Sequence, residues 1–167
     1  MSEIINKRRS VRQYKPDVAV LKEQLERMLE AAMLAPSACN TRPWEFIVVT
    51  RRGMLDELAR QHPYGRMFST ASAAIIVVAI PQTGMPEGFF PQDCAAATQN
   101  ILLEAVAQGL GTCWCGVYPK PQLIAVIRTL LDIPEPKIPF NVIAVGVQAD
   151  MPAQRGFFEA EKVSFIE

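Results

Sequence analysis

Three guanidinium groups and a hydroxyl fall within five residues near the start of the chain, in the run Arg8-Arg9-Ser10-Val11-Arg12. Like charges this close repel each other. An anion bound between them would turn this repulsion into a net attraction, because the planar guanidinium fork matches phosphate. The positive charge stops at Arg12, so one phosphate is a better ligand than a polynucleotide backbone. A solvated basic turn is the alternative that the residue types leave open.

A second cluster occupies the connector between a predicted helix and a predicted strand, Ala35-Pro36-Ser37-Ala38-Cys39-Asn40-Thr41-Arg42-Pro43-Trp44. Its two prolines restrict the backbone between them and reduce the conformational entropy that folding must remove. A stiff loop with small polar groups and open amides suits a planar polar ligand. A helix end followed by a strand start explains the same residue types equally well.

The third cluster is Gly111-Thr112-Cys113-Trp114-Cys115-Gly116, where two glycines flank alternating Cys and Trp residues. This pattern indicates a strand end that a ligand approaches closely, with an ordinary core strand as the alternative. Cys-x-Cys lacks the paired spacing of a zinc site, and the single histidine, His62, is predicted to be a surface turn residue. Because no nucleophile–base set, carboxylate pair or phosphate-loop motif occurs, we expect a bound cofactor to supply the chemistry, with no metal and no catalytic side chain.

An alternation of helices and strands must position these clusters. The 167 residues predict a single domain, 1–167, of α/β or α+β architecture around one sheet. Periodicity predicts helices over 2–9, 20–35, 53–61, 93–108 and 121–131, and strands over 46–50, 73–80, 112–118 and 141–147. Residues 81–91 are predicted to form a flexible loop that could serve as a lid, and the tail after Asp150 is expected to reach a partner subunit.

The helix predicted over 93–108 is apolar on nearly every face, which places it either in the interior of the domain or at a subunit interface. A homodimer is our expectation. The formal net charge is zero, which argues against nucleic-acid or membrane-surface binding, and the apolar runs are too short to span a bilayer. With no signal peptide and no dense cysteine spacing, we expect a cytoplasmic, reduced protein.

Together with Gln13-Tyr14, Glu45-Phe46 and Gly109-Leu110, the three clusters resemble the FMN-dependent nitroreductase family in order and spacing. The resemblance extends over nearly the whole chain. It implies an α+β fold in which helices flank a central, mostly antiparallel sheet, and an intertwined homodimer. Two FMN sites would lie at the subunit interface, each containing residues of both chains.

The resemblance also implies roles for individual residues. The FMN phosphate and ribityl chain would be held by Arg8, Arg9 and Ser10, with Arg12 near the pyrimidine end as an electrostatic stabiliser. From the other subunit, the flavin edge would be covered by Pro36, Ser37, Ala38 and Asn40. The flavin ring would lie along Cys113, Trp114, Cys115 and Gly116, with backbone amides near N5. A late phosphate ligand would be Arg155.

Three positions depart from the family's pattern. Arg42 stands where many members have Gln, Cys39 replaces a small residue, and Ala153 stands where relatives can carry a second basic residue. The implied activity is NAD(P)H-dependent reduction of nitroaromatic, quinone or similar electron-poor acceptors by alternating hydride transfer through flavin N5. The alternatives are a non-catalytic FMN-binding protein and a thiol redox sensor that uses Cys113 and Cys115.

Overall fold

The computed structural model describes residues 3–81, 88–150, 152–153, 156 and 158–167. Its one sheet contains four strands, β1 (Trp44–Val49), β2 (Ala73–Ala79), β3 (Gly111–Gly116) and β4 (Ile138–Gly146). All neighbours pair antiparallel, in the order β1-β2-β4-β3. This antiparallel sheet with flanking helices confirms the α+β prediction, and each predicted strand is present within a few residues of its predicted bounds.

The described residues form five α-helices: α1 (Glu3–Lys7), α2 (Lys22–Met33), α3 (Arg52–Gln61), α4 (Phe89–Ala107) and α5 (Pro121–Leu130). Helix α1 packs against α4. One core contains α3, α5 and one face of the sheet, while the other contains α2, α4 and the opposite face. Strand β2 is buried along its whole length because Ile76 packs into the first core and Ile75 into the second. Burial of both faces explains its continuous apolar run.

Helix α4 begins four residues earlier than the periodicity predicts, so the prediction of a loop reaching residue 91 is wrong at its end. Pro91 lies in the first turn, where its missing N–H is tolerated. Phe90 is buried and contacts Tyr118 edge to face, with ring centroids 5.3 Å apart. The rest of the proposed lid includes residues 82–87, which lie outside the described part of the chain.

Within one chain, α4 is not enclosed on every side. Its inner faces contact α2 and the sheet, whereas Gln92 and Gln99 remain exposed. In the single chain, α4 is therefore packed on one side and exposed on the other. Its place at a subunit interface stays a prediction. Across the described residues, none of the helices has the length and apolar character that crossing a bilayer requires.

Candidate functional site

The basic residues near the start of the chain line one cleft, of about 460 Å³. Its walls are Arg8, Arg9, Ser10, Arg12, Gln13, Asp150, Pro152 and Ala153. The four residues predicted to bind phosphate and the pyrimidine end are thus brought together, and Ala153 lines the same cleft. Arg155, the late phosphate ligand that the resemblance implies, lies outside the described residues.

Backbone hydrogen bonds hold this basic segment, residues 8–14, against the sheet. The Val11 amide donates to the Thr112 carbonyl oxygen at 2.8 Å, and Ser10 pairs with Thr112 in a parallel bridge. Further along, the Ala149 amide donates to the Gln13 carbonyl oxygen at 3.0 Å. The segment therefore extends the sheet beyond β3 and gives the arginines a fixed backbone.

Two glycines of the sheet receive the apolar side chains of this segment. A Cβ on Gly111 would lie 2.9 Å from Val11, and one on Gly146 would lie 2.8 Å from the Tyr14 ring. Val11 and Tyr14 are buried, whereas Arg12 between them is exposed at the cleft. The motif glycine at position 111 thus acts by letting the segment approach the strand closely.

The guanidinium groups of the cleft lack carboxylate partners within the described residues, where no ion pair involves Arg8, Arg9 or Arg12. Arg9 Nη1 donates to the Arg8 carbonyl oxygen at 2.8 Å, which orients the guanidinium group. Its Nε is buried and has no hydrogen-bond partner. An unpartnered buried donor is costly, so a cleft built this way favours an anionic ligand.

The 35–44 loop is fixed by a different set of contacts. The Arg42 amide donates to Ser37 Oγ at 2.9 Å, and the Ala38 amide donates to Asp93 Oδ1 at 3.0 Å. Cys39, Asn40 and Arg42 all have positive φ, a strained conformation that these contacts must stabilise. Stiffness in this loop therefore depends on hydrogen bonds as well as on the two prolines.

Asp93 is the site residue that the sequence analysis missed. It lies in the first turns of α4, it is only 7% exposed, and its second oxygen, Oδ2, is buried without a partner. No sequence signal links it to Ala38, since 55 residues separate the two. None of the four predicted loop ligands, Pro36, Ser37, Ala38 and Asn40, lines the 460 Å³ cleft of the same chain.

Strand β3 is an edge strand whose two faces differ. Cys113 and Cys115 point into the core with Val11 and Tyr14, whereas Trp114 and Gly116 are exposed. The Thr112 carbonyl oxygen points away from β4 and accepts a hydrogen bond from the basic segment. Along a strand, the backbone groups of successive residues point to opposite sides, so every second residue points the same way as Thr112. The amides of Trp114 and Gly116 therefore point away from β4, and a ligand at this edge would meet backbone rather than thiols.

The neighbouring side chains of Cys113 and Cys115 change each other's acidity in opposite directions. The interaction with Cys115 lowers the pKa of Cys113 to about 7, against the effect of burial and with support from Arg12 and Arg8. The interaction with Cys113 and burial raise the pKa of Cys115. The described residues contain no group of three His, Cys, Asp or Glu side chains that could hold a metal ion.

The prediction of a surface position for His62 is wrong, because the side chain is 2% exposed. Its Nε2 lies 3.2 Å from the Gly116 carbonyl oxygen, and the Tyr64 amide donates to Nδ1 at 3.2 Å. These partners assign the neutral tautomer with the proton on Nε2. Burial lowers the pKa of His62, partly offset by the bond to Gly116. His62 thus supports the far end of β3.

Fold and cleft together define an α+β protein with an arginine-lined cleft beside an edge strand. Comparison with known proteins gives its family. The model of the "Nitroreductase family" matches residues 5–83 and 56–147. A protein of Methanothermobacter thermautotrophicus named "Putative NADH dehydrogenase/NAD(P)H nitroreductase" is 45% identical over 161 residues, which are 96% of this chain and 84% of that protein. The chain belongs to the nitroreductase family.

Solved structures agree with this assignment. The crystal structure of a "Putative NADH Oxidase" from Clostridium acetobutylicum has a TM-score of 0.92 and 37% identity, covering 99% of both chains. A "putative nitroreductase in complex with fmn" from Desulfovibrio desulfuricans has a TM-score of 0.84 and 31% identity, covering 99% of this chain and 95% of that one. The family resemblance drawn from the three clusters is therefore confirmed.

Proposed function

We propose that this protein is an FMN-dependent NAD(P)H oxidoreductase that reduces nitroaromatic, quinone or similar electron-poor acceptors. The names of its relatives and the FMN complex of one structural neighbour support this activity. The single observation that carries the proposal for this chain is the arginine-lined cleft with its buried, unpartnered Arg9 Nε. The four free cysteines fit the reducing cytoplasm that we propose as its compartment.

The residues present fit the phosphate end of FMN. Arg8, Arg9 and Ser10 would bind the phosphate and the ribityl chain, since the cleft offers three guanidinium groups and an anion would partner Arg9 Nε. Asp150 is the one carboxylate among the lining residues, so the lining keeps an excess of positive charge. Arg155 is proposed as a further phosphate ligand on the family resemblance alone.

The chemistry that bound FMN supplies is transfer of hydride from NAD(P)H, through flavin N5, to the acceptor. The residues of this chain would bind the FMN, orient it and stabilise the charge that develops on it. Arg12 would contribute fixed positive charge near the pyrimidine end, an effect of a kind often worth about 3 kcal/mol. The amides of Trp114 and Gly116, on the edge of β3 that faces away from β4, would donate hydrogen bonds to the ring.

We further propose that the 35–44 loop serves the site of a second subunit in a homodimer. In its own chain the loop is stiff, polar and bonded to α4, yet none of Pro36, Ser37, Ala38 and Asn40 lines the cleft of the arginines. A rigid polar loop with no ligand role in its own chain fits a role in a partner's site. Asp93 would then be a positioning residue, acting on the partner's flavin through Ala38.

The absorption spectrum of the purified protein, before and after anaerobic addition of NAD(P)H, tests the activity. We expect a flavin spectrum that bleaches rapidly and recovers when a quinone is added. In Arg12→Ala, bleaching should slow while the folded spectrum persists. A protein that is colourless and takes up no FMN would overturn the proposal, and flavin that NAD(P)H leaves oxidised would favour the non-catalytic alternative.

A further inference from the structure

The one histidine of the chain, His62, is buried against the end of β3 and is not among the residues that line the arginine cleft. Its Nε2 lies 3.2 Å from the Gly116 carbonyl oxygen, and the side chain is 2% exposed. Burying a polar ring costs free energy unless its nitrogens find hydrogen-bond partners. The two partners of this ring therefore show which parts of the fold it serves.

Local contacts hold the imidazole ring in one orientation. The Tyr64 amide donates to Nδ1 at 3.2 Å, so Nδ1 is the acceptor and Nε2 carries the proton. The Gly65 amide donates to the His62 carbonyl oxygen at 2.8 Å and closes the turn. A Cβ on Gly65 would lie 2.6 Å from the Leu58 carbonyl oxygen and 2.9 Å from His62 Cβ, so the turn packs this closely because residue 65 is glycine. The ring is a fixed donor aimed at β3.

Gly116, which accepts this hydrogen bond, is poorly restrained by packing. A Cβ at this position would meet nothing within 4 Å, and the residue is exposed. Gly116 is paired with Asn141 of β4, but its amide and carbonyl groups point away from that strand, as the Thr112 carbonyl does. Glycine also adopts more backbone conformations than any other residue. The bond from His62 therefore restrains the backbone of Gly116 where the sheet does not.

The carbonyl and the amide of Gly116 lie on the same edge of β3, because both backbone groups of a residue in an antiparallel ladder point to one side. His62 binds the carbonyl on that side. The amide is one of the two groups that the proposed function assigns to the flavin ring. A rotation that moved the carbonyl away from the imidazole would also turn the amide, so holding one group limits the direction of the other.

We propose that His62 is a positioning residue of the FMN site, which directs the Gly116 amide towards the flavin ring by holding the Gly116 carbonyl oxygen. This inference rests on the proposed function, in which that amide donates to the ring. His62 itself does not touch FMN, since its side chain is buried and both ring nitrogens have protein partners. The proton on Nε2 stays on the imidazole during the reaction.

A purely structural role for His62 is the competing explanation. In that case the ring would matter because it fills the space between the 62–65 turn and β3, and both of its hydrogen bonds would matter alike. The two nitrogens separate these explanations, because Nδ1 serves the turn through Tyr64 and Nε2 serves the strand through Gly116.

Two amide side chains replace the ring nitrogens one at a time. In His62→Gln, the side-chain nitrogen reaches about as far as Nε2 and keeps a donor for the Gly116 carbonyl, whereas the acceptor for Tyr64 is lost. In His62→Asn, the side-chain oxygen lies near the position of Nδ1 and keeps that acceptor, whereas the donor to Gly116 is lost. Gln61→Asn changes the exposed residue next in the chain and is the matched control.

FMN labelled with nitrogen-15 at N5 reports the amide directly, because the chemical shift of a ring nitrogen depends on the hydrogen bond that it accepts. The N5 resonance should be the same in wild type, His62→Gln and Gln61→Asn. In His62→Asn it should move towards the value of a flavin without a hydrogen bond at N5. Anaerobic bleaching by NAD(P)H should be about 2- to 10-fold slower in His62→Asn, as expected for the loss of one neutral hydrogen bond, and close to wild type in the other two variants.

Circular dichroism establishes that each variant is folded. Equal N5 shifts and equal bleaching rates in His62→Gln and His62→Asn would overturn the inference and leave His62 a structural role. If His62→Asn does not fold, hydrogen exchange of the Gly116 amide in wild type decides the question: FMN should slow the exchange, and an unchanged rate would overturn the inference. These results leave the proposed function standing if wild type binds FMN and is bleached by NAD(P)H, whereas a wild type that takes up no FMN would overturn both.

Discussion

The 8–14 segment and the 35–44 loop are both predicted to contact the flavin, but the fold holds them in different ways. The first is bonded by its backbone to β3 and to residues beyond β4, and its arginines line a cleft within the chain. The second is held by its own hydrogen bonds and by one buried carboxylate of α4, Asp93, and its predicted ligands do not line that cleft. The described residues of the first half of the proposed site come together in one cleft of a single chain, whereas those of the second half do not line that cleft.

This difference separates two ways in which a protein prepares a binding site. Hydrogen bonding to a sheet makes the arginine segment part of the fold, so its geometry forms when β3 forms. The loop is stiff locally, through three positive-φ residues and two prolines, but the role that we propose for it requires a second subunit. Loss of an arginine should therefore act inside one chain, and loss of the loop's anchor should act between chains.

The largest effect is expected at the first region. Replacing Arg9 with Ala removes a donor whose buried Nε awaits a partner, and hydrogen bonds to charged groups are worth about 1.5–3 kcal/mol. FMN should bind about 10- to 150-fold more weakly, as measured by equilibrium dialysis with fluorescence detection. Arg27→Ala, at an exposed position on α2, is the matched control and should leave the affinity unchanged. An unaltered affinity in Arg9→Ala would remove the phosphate assignment.

A mixing experiment tests whether the loop serves the other chain. Asp93→Ala leaves the Ala38 amide without its partner, and we expect about 10-fold weaker FMN binding from the loss of a charge-assisted hydrogen bond. In a mixed dimer of Arg9→Ala and Asp93→Ala chains, one site combines both defects and the other combines intact arginines with an intact loop. Random exchange should then restore tight binding in about a quarter of all sites.

The controls for mixing are the two variants kept apart. Each alone should show only weak sites, because every site contains one defect. If mixing restores nothing although mixed dimers are present, the loop acts within its own chain and the shared-site proposal is wrong. If no dimer forms at all, the same proposal fails at an earlier step.

Sequence patterns predicted much of this fold because they report local physics. Strand β2 has a continuous apolar run because both of its faces are buried. Helix α2 has apolar residues at helical spacing because one of its faces is buried. Residue types left the arginine cluster as either a phosphate site or a solvated basic turn, and the cleft brings its members together. In each of these cases the signal lies within a few residues.

The contacts that sequence could not predict join distant positions. His62, flanked by Gln61 and Pro63, has the composition of a surface turn, yet it is buried because its ring bonds Gly116, 54 residues away. Asp93 looked like an isolated acid, and its link to Ala38 depends on how α4 packs beside the loop. Pro91 is equally compatible with a loop and a first helical turn, so the start of α4 was placed too late.

A smaller effect should follow from filling the space that Gly111 leaves for Val11. A Cβ there would lie 2.9 Å from three carbons of the valine, whose branched side chain has little freedom to turn. Gly111→Ala should lower the free energy of unfolding by about 1 kcal/mol or more and weaken FMN binding as Arg12 shifts. Gly53→Ala, on α3 with open space around it, should instead be neutral or stabilising by up to about 1 kcal/mol. Equal denaturation midpoints in the two variants would contradict this packing.

The smallest effect concerns the hydrogen bond between His62 and Gly116 of β3. Strand β3 supports the arginine segment and not the loop. Burial lowers the pKa of His62 below its ordinary 6.5, so the unfolded chain binds the proton more readily than the folded one. The stabilisation from neutral His62 is present above about pH 6.5 and is lost as pH falls through the folded-state pKa. Thermal unfolding should therefore occur at a lower temperature at about pH 5.5 than at about pH 7.5, with a flatter dependence in His62→Gln. Because the chain has one histidine, its NMR titration gives the pKa directly, and a value at or above 6.5 would contradict the burial argument.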